Sequence, residues 1–240
     1  MNIKTTLCLV VYIICILTIS SASAEGKDTF KTKWDGAYIG AVLGKSTLKS
    51  TTIDSNGYSG VPNHPKGYEF DYEDSGTIGG LLAGYNIKFG NWVTGIEGDF
   101  SVGDLHASSF DFDNTKDEKV ESEIHWLATL RGRVGYSFGR FLPYLTAGLA
   151  YADITDKLTD YDGVAPPFVD PGDSYSSRKL RAGWVVGGGA EYLLSESWLL
   201  RLEAMYVDLG RVDNTIQNGN TSFGQRSKIE TVRLGLAYHF

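Results

Sequence analysis

Ionisable side chains recur at every second position in several segments of the chain, a spacing that places them on one face of a strand. Glu97 and Asp99 form one such pair, and Arg131 and Arg133 form another. The full set on this face is Glu97, Asp99, Arg131, Arg133, Arg181, Glu191, Arg201, Glu203 and Arg233. In an enclosed space these groups form either the charged constriction of a pore or a network of mutually paired charges. We assign all of them except Arg181 to an ion-pair network in this enclosed space, or lumen. Arg181 is left out because it lies near the start of its segment, away from the level of the others.

Residue types suited to catalysis occur together at one place. Ser108 and Ser109 lie close to His106 and Asp111, which are the components of a Ser-His-Asp hydrolase. Proximity within one segment does not make a triad, because the chemistry depends on the geometry of the three groups. We therefore predict no enzyme activity and no catalytic residue. Without a Cys/His cluster at ligand spacing, the sequence also predicts no metal site.

Composition excludes further classes of protein. The formal net charge is −7, so no basic excess is available to neutralise the phosphates of a nucleic acid. Two cysteines cannot build a disulfide framework. The chain has 29 glycines and 14 tyrosines but only 6 prolines, a bias that favours many strands and tight turns.

The first residues have the features of an export signal. Lys4 precedes an apolar run over residues 7–19, and Ala22-Ser-Ala24 follows as a cleavage site. The run is too short to cross a bilayer, which takes about 20 apolar residues. The predicted division is residues 1–24 as a cleaved signal peptide, 25–33 as a short periplasmic segment and 34–240 as the folded domain.

Eight segments alternate between apolar and polar residues with period two. They are residues 34–44, 77–89, 92–102, 123–136, 141–151, 179–194, 198–208 and 231–240. Short turns alternate with long connections, over residues 45–76, 103–122, 152–178 and 209–227. This arrangement is typical of outer-membrane barrels, and each segment reaches the length of a tilted transmembrane strand. We predict an all-β, eight-stranded antiparallel up-and-down transmembrane β-barrel, with four long extracellular loops and both termini in the periplasm.

The alternative is a secreted soluble barrel of the lipocalin kind, with apolar residues inside. Each segment carries more apolar residues on one face than the interior of an eight-stranded barrel can hold. We therefore expect the apolar face to point outward into lipid and the charged face to line the lumen. Two groups of aromatic residues support this, as expected for girdles at the membrane interfaces. The girdle residues are Tyr85, Phe89, Trp92, Tyr136, Tyr192, Trp198, Tyr238 and Phe240 near the short turns, and Phe100, Trp126, Tyr151, Trp184 and Tyr206 near the long connections.

Several motifs, taken in their order along the chain, carry a family resemblance. They are residues 34–40 (WDGAYIG), 84–86 (GYN), 95–100 (GIEGDF), 131–136 (RGRVGY), 143–150 (PYLTAGLA) and 203–210 (EAMYVDLG). The chain resembles the opacity-like small outer-membrane β-barrel family, in particular its alphaproteobacterial branch of surface antigens and hemin-binding proteins. Its C-terminal residues 234–240 (LGLAYHF) are similar to the signal by which the barrel-insertion machinery recognises outer-membrane barrels. The resemblance implies an outer-membrane location and contact with lipid and lipopolysaccharide.

The family also implies haem as a bound ligand, although the sequence predicts no resident cofactor. Candidate haem ligands in the predicted loops are His64, His106, Tyr58 and Tyr68, with Tyr72, Tyr161 and Tyr175 as further tyrosines. His125 is predicted to face the lumen. Three of the four long connections are net acidic, and acidic loops repel the two haem propionates.

The predicted function is therefore a structural outer-membrane barrel, a surface antigen that contributes to envelope integrity. Its acidic loops contact the environment, a host or neighbouring cells. A hemin-binding receptor is the alternative and a narrow non-specific porin is the second alternative. We favour paired charges over a pore because eight strands leave little room beside large side chains.

Overall fold

Eight antiparallel strands close into one barrel in the computed structural model, each beside its sequence neighbour and β1 against β8. The structure describes residues 33–54, 67, 69–110, 118–160, 175–215 and 222–240, so the predicted signal peptide lies outside the described residues. Within these ranges no helix is long and apolar enough to span a bilayer. The strands are β1 (Gly36–Asp54), β2 (Glu69–Phe89), β3 (Trp92–Phe110), β4 (Glu118–Tyr136), β5 (Phe141–Asp160), β6 (Tyr175–Leu193), β7 (Trp198–Thr215) and β8 (Ser222–His239). The predicted fold class is confirmed.

Short turns join the strands at one end of the barrel. Phe89 pairs with Trp92 across a two-residue turn, in which Gly90 has a φ of 61° that a residue with a side chain adopts only with strain. The ring closes at the same end, where the Phe240 amide donates to the Ala37 carbonyl at 2.9 Å. Short turns mark the periplasmic end of an outer-membrane barrel.

The wall next to the short turns is apolar on its outer face, as predicted. Leu81, Leu145 and Ile96 are 69, 68 and 64% exposed, which in water would leave a large unburied apolar surface. Both predicted groups of aromatic residues lie on this outer face. The group nearer the long connections consists of Phe100, Trp126, Tyr151, Trp184 and Tyr206. We call it the upper aromatic belt, and 'above' means further towards the long connections.

Above the upper aromatic belt the strands continue much further than the sequence periodicity predicted. Most of the predicted connection over residues 45–76 is strand, because β1 runs to Asp54 and β2 begins at Glu69. In this part the polarity of the wall is reversed. On β5, Ile154 and Leu158 face inward and are fully buried, whereas Lys157 is exposed. The predicted long loops are therefore shorter than expected, and the extracellular half has the apolar interior of a water-soluble protein.

The barrel also changes architecture at this level. Pairing between β2 and β3 ends at Ile78 and Gly103, and pairing between β6 and β7 ends at Trp184 and Asp208. The other six seams continue to the strand ends. The extracellular half is therefore a sandwich of two four-stranded sheets, β7-β8-β1-β2 and β3-β4-β5-β6, which we call the extracellular sandwich.

The position of the split follows from the solvent around it. In the hydrocarbon layer, unpaired backbone groups cost several kcal/mol each, so the wall must be closed there. Above the upper aromatic belt, water can satisfy an open edge. Each open seam begins at a β-bulge, one in β3 between Val102 and Leu105 and one in β7 between Asp208 and Arg211. Bulges bend strands and terminate pairing.

Gly76 on β2 permits the close approach of β2 and β3 where the seam between them opens. Any Cβ at this position would collide with the Asp104 carbonyl oxygen. We expect Gly76→Ala to displace the bulge and destabilise the extracellular sandwich by about 1–3 kcal/mol. Surface proteolysis of intact cells measures this change. Gly79→Ala is the matched control, since a Cβ at Gly79 meets Leu43 Cδ1 at 3.5 Å and the Val42 carbonyl oxygen at 3.6 Å, both ordinary van der Waals distances. Equal resistance of the two variants would contradict this account of the seam.

A third β-bulge, in β4, makes two side chains point to the opposite face from the one predicted. Ile124 pairs with Ile154 and Trp126 pairs with Asp153, which leaves His125 as the extra residue. Simple alternation places Ile124 on the outer face with the girdle residue Trp126, but the bulge leaves Ile124 buried inside. His125, predicted to face the lumen, instead contacts the outer-face Thr155 hydroxyl at 2.9 Å.

Candidate functional site

A cluster of charged side chains fills the lumen at the level of the membrane. Its members are the eight predicted residues Glu97, Asp99, Arg131, Arg133, Glu191, Arg201, Glu203 and Arg233, and we call this set the lumen cluster. All of them are buried. An apolar layer that includes Trp34, Leu142 and Leu199 lies on the periplasmic side, and the apolar core of the extracellular sandwich lies above.

Arg131 contacts more carboxylates than any other arginine in the lumen cluster. Its Nη2 lies 2.5 Å from Glu97 Oε1 and 2.9 Å from Asp99 Oδ2, and its Nη1 lies 2.9 Å from Glu203 Oε1. Glu97 and Arg131 are direct partners across β3 and β4. Arg131 therefore links carboxylates from the adjacent β3 and the distant β7, which ties opposite walls of the barrel together.

Two further arginines share Glu191 and Glu97. Arg201 reaches Glu191 Oε1 at 2.5 Å through Nη2 and Glu97 Oε2 at 2.6 Å through Nη1. Arg133 Nη2 lies 2.8 Å from Glu191 Oε2. The fourth arginine, Arg233, lies 3.0 Å from Asp99 Oδ1 through Nη1 and 2.7 Å from Glu203 Oε2 through Nη2. The lumen cluster thus contains four arginines and four carboxylates, so its formal charge is zero, which is the arrangement that makes burial of charge tolerable.

Two tyrosines hydrogen-bond to the lumen cluster, and neither was predicted from the sequence as a partner of these charges. The Tyr38 hydroxyl donates to Glu97 Oε2 at 2.7 Å and accepts from Arg133 Nη1 at 2.9 Å. The Tyr144 hydroxyl donates to Glu203 Oε1 at 2.8 Å, and its ring centroid lies 4.2 Å from the Arg133 guanidinium carbon. Their inward positions on β1 and β5 alternate with lipid-facing residues, so strand periodicity was sufficient to find them.

A second polar network lies above the lumen cluster, inside the extracellular sandwich. Arg181 forms an ion pair with Asp156. The same guanidinium donates to the Ser227 hydroxyl at 3.2 Å, and the other oxygen of Asp156 accepts from Ser122 at 2.7 Å. Asp156 lies in a predicted long connection, so the partner of Arg181 was not predicted from the sequence. Because Ile154 and Leu158 flank Asp156 at alternate positions, extending the strand periodicity would have found it.

Tyr72 belongs to this second network rather than to a loop that binds haem. Its buried hydroxyl accepts a hydrogen bond from Gln225 Nε2 at 2.6 Å and lies 3.1 Å from the Ser122 hydroxyl oxygen. Tyr72 and Gln225 belong to one sheet of the sandwich and Ser122 to the other. The network therefore holds the two sheets together, and the prediction of Tyr72 as an exposed haem ligand is wrong.

The structure does not bring the predicted haem ligands together. His106 lies on the exposed outer face of β3, with its Nε2 3.3 Å from Glu121 Oε1 on the neighbouring strand. Tyr58, His64, Tyr68 and Tyr161 lie outside the described residues, as does Asp111 of the catalytic set. The structure describes only the backbone of Tyr175. Haem binding therefore stays a prediction.

A titratable ion pair between β7 and β8 stabilises the β7 bulge at which the open β6/β7 seam begins, above the upper aromatic belt. Burial opposes ionisation of Asp208, but hydrogen bonds from Arg226 Nη2 at 2.6 Å and from the Gly210 amide at 2.9 Å outweigh it and lower its pKa. The stabilisation is therefore present above the ordinary aspartate pKa of about 3.9 and is lost as the pH falls below it. We expect surface proteolysis of the sandwich to increase at acid pH. In Asp208→Asn, resistance should already be reduced at neutral pH and should depend less on pH, and an unchanged profile would contradict this role.

The comparison with protein families agrees with this geometry. The model of the outer-membrane protein β-barrel domain matches residues 13–240. The chain belongs to this family. It is 32% identical over 223 residues to the 31 kDa outer-membrane immunogenic protein of Brucella melitensis biotype 1, covering 92% of this chain and 89% of the relative. It is 29% identical over 207 residues to the 22 kDa outer membrane protein of Rhizobium leguminosarum bv. viciae, covering 86% and 78%.

Solved structures share the fold of this outer-membrane barrel. The outer membrane protein OprG from Pseudomonas aeruginosa superposes with a TM-score of 0.55 at 16% identity, covering 88% of this chain and 99% of OprG. The barrel thus lies in the outer membrane of a Gram-negative bacterium, in contact with its lipid, and is a surface protein related to immunogenic outer-membrane proteins. The predicted resemblance to an alphaproteobacterial family of small outer-membrane barrels and the predicted location are both confirmed.

Proposed function

We propose that this outer-membrane barrel has a structural, non-conducting role and contributes to the integrity of the envelope. The observation that carries the proposal is the charge-neutral lumen cluster, whose large side chains lie across the barrel at membrane level. Arg131 and Arg201 are each 1% exposed, although both lie in the lumen. An interior filled in this way favours a packed plug over the constriction of a porin. The proposed role involves no catalysis.

Electrical recording tests this proposal directly. We expect the purified full-length protein, reconstituted in planar bilayers, to give no steady conductance. A general porin of known conductance, inserted in the same bilayers, is the positive control. Steady ohmic conductance by the wild-type protein would overturn the non-conducting role and support the narrow porin.

The extracellular sandwich supports a second part of the proposal, which is that the barrel presents its loops at a distance from the bilayer. On β1, the wall above the apolar band runs from Lys45 to Asp54. At about 3.3 Å per residue this part is roughly 30 Å long along the strand. The two packed sheets carry the ends of the strands beyond the lipid headgroups, and we infer that the surface presented there contacts the environment, a host surface or neighbouring cells.

The same proposal includes two envelope partners. We infer that the charged outer wall of the sandwich contacts lipopolysaccharide, because it begins directly above the upper aromatic belt. The barrel-insertion machinery is proposed to recognise the C-terminal Phe240, whose side chain is 58% exposed on the lipid-facing wall.

Hemin binding is the alternative proposal, and one observation favours it. His106 is exposed on the outer wall, and only its Nε2 faces Glu121, which leaves Nδ1 for iron. A Soret titration of the detergent-folded protein with hemin tests this. Hemin binding requires a saturable shift that is lost in the His64→Ala/His106→Ala variant. If there is no shift, or if the variant retains it, the structural role stands alone.

A further inference from the structure

The extracellular sandwich has two open sides, one on each side of the barrel. On one side β2 over Glu69–Thr77 and β3 over Leu105–Phe110 each pair with only one described strand. We call this side the β2/β3 side. On the other side, β6 over Tyr175–Gly183 and β7 over Arg211–Thr215 likewise each pair with only one described strand, and we call this the β6/β7 side. Unpaired strand edges are templates for pairing with another chain.

The two open sides carry opposite charge. The described edge residues of the β2/β3 side include five acidic residues and no lysine or arginine: Glu69, Asp71, Glu73, Asp74 and Asp104. On the β6/β7 side the charged residues with exposed side chains are Arg178, Lys179, Arg211 and Asp213, a formal charge of +2. Arg178 pairs with Asp153 of β5 and Arg211 pairs with Asp213, so this side is less strongly charged than the β2/β3 side. Like charges oppose the pairing of a side with its own copy, whereas the two different sides attract each other.

We propose that copies of this protein associate side by side in the membrane, with the β2/β3 side of one barrel against the β6/β7 side of the next. All copies in an outer membrane have the same orientation, so neighbouring sandwiches lie at the same height. Simple translation along the membrane places β2 beside β7 of the next copy and β3 beside β6. Both pairs are antiparallel, because β2 and β6 run towards the periplasm while β3 and β7 run away from it. Each sheet therefore continues from one copy into the next.

The symmetry of this contact determines the form of the assembly. The two sides lie four strands apart in an eight-stranded ring, so they face in opposite directions. A head-to-tail contact between opposite sides does not close on itself and produces an open row rather than a dimer. The row leaves the loops at the top of the sandwich and the lumen cluster unchanged, so it is independent of the proposed non-conducting role.

Disulfide crosslinking in native outer membranes tests the proposal. The only cysteines of the chain, Cys8 and Cys15, lie in the predicted signal peptide. Ser108 on β3 and Ser176 on β6 are both exposed near the open edges. We expect the variant Ser108→Cys/Ser176→Cys to form dimers, trimers and longer products on mild oxidation. Each single variant should remain monomeric, since the proposed contact joins different sides.

A second pair of cysteines controls for random collision. Lys157 on β5 and Lys228 on β8 lie in the middle of the two sheets, so Lys157→Cys/Lys228→Cys should give no such ladder. An equal ladder from this control would overturn the proposal. So would dimers from Ser108→Cys alone, which indicate contact between identical sides, or crosslinks only to other proteins, which indicate a different occupant. Absence of crosslinking at natural abundance would overturn it as well.

Charge reversal separates complementarity from simple crowding. In the crosslinking variant, replacing Asp71, Asp74 and Asp104 with lysine changes the formal charge of the β2/β3 side from −5 to +1 and should abolish the ladder, because a basic side then faces the basic side of the neighbour. Adding Arg178→Asp and Lys179→Asp to the same chain changes the β6/β7 side from +2 to −2 and should restore the ladder. High salt should also reduce it, because screening weakens the attraction between exposed charges. A ladder unaffected by the three lysine substitutions would contradict the proposed basis of recognition.

Discussion

Replacing Arg131 with methionine is expected to lower the free energy of unfolding by about 3–5 kcal/mol, because the change leaves buried carboxylates without their cation. Arg131 contacts Glu97, Asp99 and Glu203 within 2.9 Å, and its loss gives the lumen cluster a formal charge of −1. Methionine retains much of the volume, so the effect reports charge rather than a cavity. Urea unfolding of the barrel in detergent or lipid, followed by tryptophan fluorescence, measures the change.

Two control variants make this result specific to buried charge balance. Adding Glu203→Gln to Arg131→Met returns the formal charge of the lumen cluster to zero, so the double variant should recover part of the lost stability. Arg178→Met breaks an exposed pair with Asp153 on the outer wall and should leave the unfolding midpoint unchanged, because such pairs contribute little. If Arg131→Met unfolds like the wild type, the cluster does not stabilise the barrel.

The second large effect is expected in the extracellular sandwich. Ile154 is fully buried between its two sheets, and Ile154→Ala should cost about 2–5 kcal/mol through lost apolar contact and the cavity left behind. Because the sandwich has its own core above the closed barrel, we expect the damage to stay local. External protease should cleave the sandwich faster in intact cells, while the membrane barrel keeps its folded mobility in unheated gels.

Lys157→Ala is the matched control on the same strand, since Lys157 is exposed on the outer face. It should leave both measurements unchanged. If Ile154→Ala abolishes the folded gel mobility together with protease resistance, the barrel and the sandwich unfold as one cooperative unit. Unchanged protease resistance would contradict the role of Ile154 in a stabilising core.

Much of the membrane-level structure could be predicted from the sequence, because lipid imposes a strict alternation on every strand. Side chains of a strand point alternately to its two faces, and one face meets hydrocarbon. Alternation therefore assigned Leu81 and Ile96 to lipid and Glu97 and Arg131 to the lumen. Tyr38 and Tyr144 occupy inward positions of the same pattern and were overlooked because tyrosine was considered only as an interfacial or haem-binding residue.

Prediction failed where the environment of a strand changes along its length. On β5, Leu149 and Tyr151 point to lipid, whereas Ile154 and Leu158 further along the same strand point inward. The alternation persists, but the apolar face passes from the outside to the inside, because water replaces lipid around the wall. This reversal resembles the end of a strand, so Asp156 was assigned to a loop. The bulge at His125 shifted the facing of Ile124 for a similar reason, since no sequence signal marks the extra residue.

The sequence by itself determined the eight-stranded barrel and its charged lumen, because each depends on local alternation and on the order of turns. Only the tertiary structure decided which charges neutralise one another, since Arg131 joins carboxylates from β3 and β7 that lie far apart in the chain. It also decided where the wall opens into two sheets. That division depends on the close approach of Gly76 to Asp104 and on bulges in β3 and β7, and strands can separate there because backbone groups above the membrane are satisfied by water.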